Sequence, residues 1–173
     1  MSDTIAAIAT PIGEGGVTII RFSGTDSLSI ALKLFYTPSG KSIKKLYPNK
    51  AHFGSIYEPT TRKCVDEVVL TWFKNPKSYT GEDVVEISAH GGTFVSSRIL
   101  GLVLDHGARL AEPGEFTRRA FMNGRIDLSQ AEAVADLISA ASDKALQAAI
   151  MQLKGLLSQK ITRLYDRLLY VLG

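Results

Sequence analysis

The spacing of apolar residues changes near Pro113, and that change divides the chain into two regimes. Before Pro113, short β-rich runs alternate with turns and are interrupted by two helical patterns. After it, apolar residues recur almost throughout at steps of three and four. Successive side chains of a strand point to opposite faces, whereas steps of three and four return to one face of a helix. A chain with the first pattern followed by the second is an α+β protein: a β-rich domain with its own helices, then an all-α segment. The domain boundary is placed between residues 118 and 119, giving domains 1–118 and 119–173.

In the first regime, Thr4 to Thr10 and Val17 to Ser23 read as strands joined by the Pro-Ile-Gly-Glu-Gly-Gly turn at 11–16. Residues 25–35 carry Leu28, Ile30, Ala31, Leu32, Leu34 and Phe35 at helical spacing, with Thr25 or Asp26 as the cap. Lys41 to Lys50 holds four lysines and a proline. It reads as a solvated loop, with a nucleic-acid patch as the alternative. Ala51 to Tyr57, Val65 to Phe73 and Asp83 to Ala89 read as three further strands. In the last, Val84, Glu86 and Ser88 face one way and Val85, Ile87 and Ala89 the other. His90-Gly91-Gly92 ends that strand and opens a helix over Thr93 to Asp105, with Gly107 as its stop. Ala108 to Ala111 is a short last strand.

In the second regime, Phe116 to Met122 reads as a short helix ended by Asn123-Gly124. Ser129 is expected to cap the next helix, with Glu132 completing a capping box. A break near Ser142-Asp143 precedes what reads as one long helix, in which Leu146, Ile150, Leu153, Leu157, Ile161, Leu164, Leu168 and Val171 form a single seam. That seam must bury against something, another copy being one candidate.

Composition narrows the chemistry. The 173 residues are 45% hydrophobic and 21% charged, with a net charge of +3. That is an ordinary globular balance, and the charge makes no strong case for nucleic acid. One cysteine, Cys64, excludes an intrachain disulfide and fits a reducing compartment. The N-terminus lacks the basic start of a signal peptide, and no run approaches the ~20 apolar residues that span a bilayer. A cytoplasmic location is the expectation. No G-x-x-x-x-G-K-[ST] phosphate cradle is present, and no set of His, Cys or carboxylates has metal-ligand spacing. No catalytic acid or base stands out.

Glu86 is the most informative single residue, because a carboxylate inside an apolar strand must be paired or bound. A structural reading pairs it with Arg21, which interrupts another apolar strand. A ligand-binding reading has Glu86 accept two parallel hydrogen bonds from an amidine-like edge such as that of a pterin, with Arg21 holding a carboxylate or carbonyl of the same ligand. His90 reads as a strand-end residue and Cys64 as an inert thiol. Arg118, Arg119 and Arg125 form a basic cluster, either a solvated helix face or an anion site.

Several motifs occur in order: Asp3-Thr-Ile-Ala-Ala-Ile-Ala-Thr-Pro11, Gly15-Gly-Val-Thr-Ile-Ile-Arg-Phe-Ser-Gly24, Tyr79-Thr-Gly-Glu-Asp-Val-Val-Glu86 with His90-Gly-Gly92, and the long run from Glu112 to Ile138. Together they resemble the tRNA-modification GTPases of the MnmE (TrmE) family over nearly the whole chain. The resemblance implies a mixed β-sheet domain with flanking helices, like the folate-binding domain of aminomethyltransferases, that forms a homodimer. It implies 5-formyltetrahydrofolate or a related tetrahydrofolate as cofactor, held at positions matched by Arg21, Glu86 and Arg125. The last is often lysine in relatives, which keeps the charge but not the hydrogen-bond geometry.

The resemblance also implies that the full-length protein, with an MnmG-type flavoprotein partner, adds an aminomethyl-type group (carboxymethylaminomethyl) to C5 of the wobble uridine of tRNA. The chain departs from the family pattern in ending within the helical domain. It has neither the GTPase domain, with its GTP, potassium and magnesium, nor the C-terminal Cys-x-Gly-Lys motif. The expectation is an N-terminal fragment that hydrolyses no GTP. A dimerisation scaffold without ligand is the alternative.

Overall fold

The computed structural model describes residues 3–11, 13 and 15–172, with the side chain of Leu172 excepted. Ile12 and Glu14 of the expected turn at 11–16 lie outside the described residues, as do Met1, Ser2 and Gly173. The elements run β1 (Ile5–Ile8), β2 (Val17–Ser23), α1 (Ser27–Leu34), β3 (Phe35–Tyr36), β4 (Ala51–Tyr57), β5 (Cys64–Phe73), β6 (Val84–His90), α2 (Thr93–Asp105), β7 (Arg109–Leu110), α3 (Glu115–Met122), α4 (Leu128–Ser139), α5 (Asp143–Leu153) and α6 (Leu156–Leu172). The chain divides into two compact units, residues 1–116 and 117–173. No helix among the described residues is long and apolar enough to cross a membrane.

The first unit is built on one seven-stranded sheet of order β3-β4-β5-β6-β2-β1-β7. Its pairings are antiparallel except for β1 with β7, which makes the sheet mixed. Period-two alternation puts Ile20, Phe22, Leu70, Val85 and Ile87 on one face, where each is fully buried. Helices α1 and α2 supply Ile30, Leu34, Ile99 and Val103 to the same core. Each such side chain contributes about 1.5–3 kcal/mol on leaving water. The same alternation puts Val17, Phe53 and Val69 on the opposite face, where they stay exposed. That open face also carries Arg21 and Glu86.

Most expected boundaries match within a residue or two. β3 is a difference: the helical pattern of residues 25–35 gives way at Phe35 to a two-residue edge strand on β4. The approach is close, because a Cβ at Gly54 would sit 2.3 Å from the Tyr36 carbonyl oxygen. Asp26 is the N-cap residue of α1, but its side chain makes no capping bond.

Two expectations for the second unit are corrected. The capping box of α4 is Asp127 with Gln130, not Ser129 with Glu132. Asp127 Oδ1 accepts the Gln130 amide at 2.8 Å, and Gln130 Oε1 accepts the Asp127 amide at 2.9 Å. Asp127 prevails because its second oxygen also accepts the Ser158 hydroxyl at 2.6 Å. The expected single long helix is two helices, α5 and α6, parted at Lys154-Gly155. Gly155 has φ +74°, a left-handed backbone that ends a helix and suits glycine. Gln130 bonds the freed Leu153 carbonyl at 2.8 Å, so the α4 start and the α5 end are tied together. The break at Ser142 stands as expected, with its hydroxyl accepting from the Ala145 amide.

The Ser158 hydroxyl, and then the Gln130 amide, hold the Asp127 carboxyl below its ordinary pKa of 3.8. A depressed folded-state pKa means the stabilisation is present above the unfolded value and is lost as pH falls through the folded one. Asp127→Ala is therefore expected to cost the helical unit about 1 kcal/mol at neutral pH. The gap from the parent should close as pH drops below 3.8. Urea unfolding followed by helical circular dichroism at several pH values checks both.

Candidate functional site

The register of β2 on β6 sets Arg21 directly opposite Glu86, and β5 sets Thr71 on the other flank of Glu86. Arg21 Nε donates to the carboxylate oxygen Oε1 at 2.7 Å, and Nη2 lies 2.7 Å from the same oxygen as an ion-pair contact. Oε2 of Glu86 accepts no hydrogen bond among the described residues. The side chains remain 29% and 24% exposed. The contact with Arg21 thus falls on one carboxylate oxygen, and both side chains stay partly exposed.

Two aromatic rings flank the guanidinium. Its central carbon lies 5.5 Å from the Tyr79 ring centroid and 5.7 Å from that of Phe116, both within cation–π range. These residues were not anticipated as site residues, although both fall inside motifs legible in the sequence. Their placement has local causes. The loop at 78–83 is pinned to β2, with the Thr80 and Ser23 hydroxyls 2.7 Å apart and Ser23 donating to Glu82 Oε2 at 2.7 Å. Ser23 and Thr80 are fully buried, so this bond is made away from water and fixes the loop that carries Tyr79. Phe116 follows Glu115, which is 2% exposed. Glu115 takes both arms of the Arg109 guanidinium, at 2.5 and 2.8 Å, and the Glu112 amide at 2.8 Å. Arg109 also reaches Asp3.

The remaining candidates have their own local settings. Arg125 lies in the second unit, just past the turn at Gly124, where its amide donates to the Ala120 carbonyl at 2.8 Å. His90 ends β6 with its ring on Asp66 Oδ1 at 2.7 Å and its amide on Oδ2 at 2.8 Å. Cys64 is exposed at the start of β5. Gly91 allows the glycine-rich loop to pack on the sheet, since a Cβ there would lie 1.8 Å from the Gly15 carbonyl oxygen. A cleft of about 280 Å³ lies between that loop and the start of α2.

On the open sheet face, a shallow depression of about 390 Å³ is lined by Val17, Phe53, Val69, Ser88 and His90. Ser88 is two residues from Glu86 and so shares its face. Arg21 and Glu86 do not line this depression, whose wall also carries Glu67; the pair by itself offers a carboxylate acceptor and a guanidinium.

Three substitutions probe this assembly in the ligand-free protein. Arg21→Ala strands Glu86 in the sheet and should cost about 1–3 kcal/mol. Glu86→Gln keeps an acceptor for Arg21 and should cost less; urea denaturation ranks the two. Gly91→Ala should cost about 1–3 kcal/mol by overpacking against the loop, read the same way.

Comparison with known proteins places these features. Residues 4–125 match the family described as GTP-binding protein TrmE N-terminus, and residues 128–173 match the MnmE helical domain. The tRNA modification GTPases MnmE of Geobacillus thermodenitrificans and Lysinibacillus sphaericus are each 52% identical over 171 residues. That of Streptococcus pneumoniae is 51% identical over the same length. In each case the match covers 99% of this chain and 37% of the relative, so the chain spans just over a third of these curated proteins. Two family models in sequence order, covering nearly the whole chain, leave one conclusion: it belongs to the MnmE (TrmE) family of tRNA-modification GTPases.

Proposed function

We propose that this chain is the folate-binding and dimerisation part of a tRNA-modification GTPase. The observation that carries the reading is the half-open pair of Arg21 and Glu86 on the exposed sheet face. A reduced pterin presents a ring N–H and a 2-amino group side by side. Glu86 suits that edge through Oε2 for one donor and the remaining lone pair of Oε1, which already accepts from Arg21 Nε, for the other. Arg21 suits a carbonyl or carboxylate of the same ligand, and Tyr79 and Phe116 hold its guanidinium in place. Arg125 stays in the reading on the family pattern alone.

The ligand is 5-formyltetrahydrofolate or a related tetrahydrofolate, the one-carbon donor. In the whole protein this module serves the addition of an aminomethyl-type group to C5 of the wobble uridine of tRNA, with an MnmG-type flavoprotein as partner. GTP, potassium and magnesium belong to a GTPase domain, not to these residues. Exposed Val17, Phe53 and Val69 on the open face support a homodimer. One exposed cysteine supports a reducing, cytoplasmic setting. A second reading has one observation in its favour: Arg21 and Glu86 already satisfy each other in part, as a purely structural pair in a dimerisation scaffold would.

Calorimetric titration of 5-formyltetrahydrofolate into the 173-residue chain separates the two. Saturable binding is expected, and Glu86→Gln should abolish it while leaving the dimer intact by analytical ultracentrifugation. A folded, dimeric sample that takes up no folate supports the scaffold instead.

A further inference from the structure

Residues 27–57 contain no aspartate or glutamate and carry Lys33, Lys41, Lys44, Lys45 and Lys50. That run is +5 within a chain of net +3, which leaves −2 for all other residues. A modest total charge therefore conceals a strongly positive segment. Four of these lysines are exposed on the loop between β3 and β4, and β3 is the edge strand of the sheet. The loop lies along that edge, with Ser42 bridged to Tyr36 and the Thr37 amide bonded to the Lys41 carbonyl at 2.9 Å.

The loop is anchored, unlike a freely solvated lysine run. Leu46 is 3% exposed and joins the core. The Asn49 amide donates to the Trp72 carbonyl at 2.7 Å, and Asn49 has the left-handed φ of 56°. His52 Nε2 meets the backbone of Tyr47, 3.0 Å from its carbonyl oxygen. These ties hold the Tyr47 ring outward, 53% exposed. The His52 ring stacks on it at 6.4 Å with 13° between planes. The Lys45 and Lys50 ammonium groups lie 5.2 and 5.6 Å from its centroid. At the far end of β4, the first carboxylate after the run, Glu58, is already engaged by Arg98 and the Thr61 hydroxyl.

Lysines in a row supply point charges for phosphates, and an exposed flat ring supplies a stacking face for an unpaired base. An acidic peptide uses the first feature but not the second. We infer that this edge of the sheet docks an unpaired stretch of RNA, with Lys41, Lys44, Lys45 and Lys50 on phosphates and Tyr47 under a base. The choice of RNA over other polyanions rests on the tRNA reading above.

The test is fluorescence anisotropy of labelled tRNA with the 173-residue chain across a salt series. Each phosphate contact contributes about −0.7 to −0.9 to the slope of log affinity against log salt. Lys44→Gln and Lys45→Gln should each flatten the slope by about 1. Tyr47→Leu should weaken binding about five-fold or more and leave the slope unchanged. All three positions are exposed, so circular dichroism melts should match the parent. Absence of tRNA binding at low salt, or a slope indifferent to the lysine substitutions, overturns the proposal. So does binding to phosphatidylserine vesicles in preference to tRNA. Folate titration of the same variants keeps the two readings apart: these substitutions should leave folate binding intact, and a failure of folate binding in the parent bears on the first reading alone.

Discussion

The register between β2 and β6 governs the first unit and its site together. Those strands are central to the sheet, and a slip of one residue would exchange their two faces. Ile20, Phe22, Val85 and Ile87 would leave the core, and Arg21 and Glu86 would enter it. Several buried aliphatic side chains, each contributing about 1.5–3 kcal/mol, oppose that slip. The charged pair opposes it as well, because neither group tolerates a dry environment without full hydrogen bonding. Core and site therefore enforce the same alignment.

Around that register, hydrogen-bonded groups fix the surroundings of Arg21. Ser23, Thr80 and Glu82 fix the loop carrying Tyr79, and buried Glu115 with Arg109 fixes the turn before Phe116. The Arg21 guanidinium is therefore gripped by a carboxylate and two rings before any ligand arrives. Such preorganisation removes side-chain ordering from the free energy of binding. The pair is about a quarter exposed, so its own contribution to stability is modest.

Much of this was legible in the sequence, for identifiable reasons. β2, β4 and α2 have strong periodicity and glycine or polar borders, and their boundaries match the reading residue for residue. The pairing of Arg21 with Glu86 was anticipated because each is a charge inside an apolar strand. The errors arose where a local motif competed with a tertiary contact. Ser129 and Glu132 make a valid capping signature, but Asp127 gains the Ser158 hydroxyl from 31 residues away. Gly155 interrupts a seam whose apolar spacing continues past it, so periodicity alone ran α5 into α6. β3 is two residues long and depends on the absence of a side chain at Gly54. Tyr79 and Phe116 gave no chemical signal of their own, since their role is set by a guanidinium that the fold brings to them.

The two functional proposals concern different parts of one sheet, its open face and its β3 edge, and the first is the central one. It is tested most directly by the nitrogen-15 resonance of the Arg21 Nε–H, which donates to Glu86 at 2.7 Å. On titration with 5-formyltetrahydrofolate, that resonance should move and saturate in step with calorimetric binding. A resonance that stays fixed while the folate binds would place the ligand elsewhere and leave Arg21 and Glu86 as a structural pair.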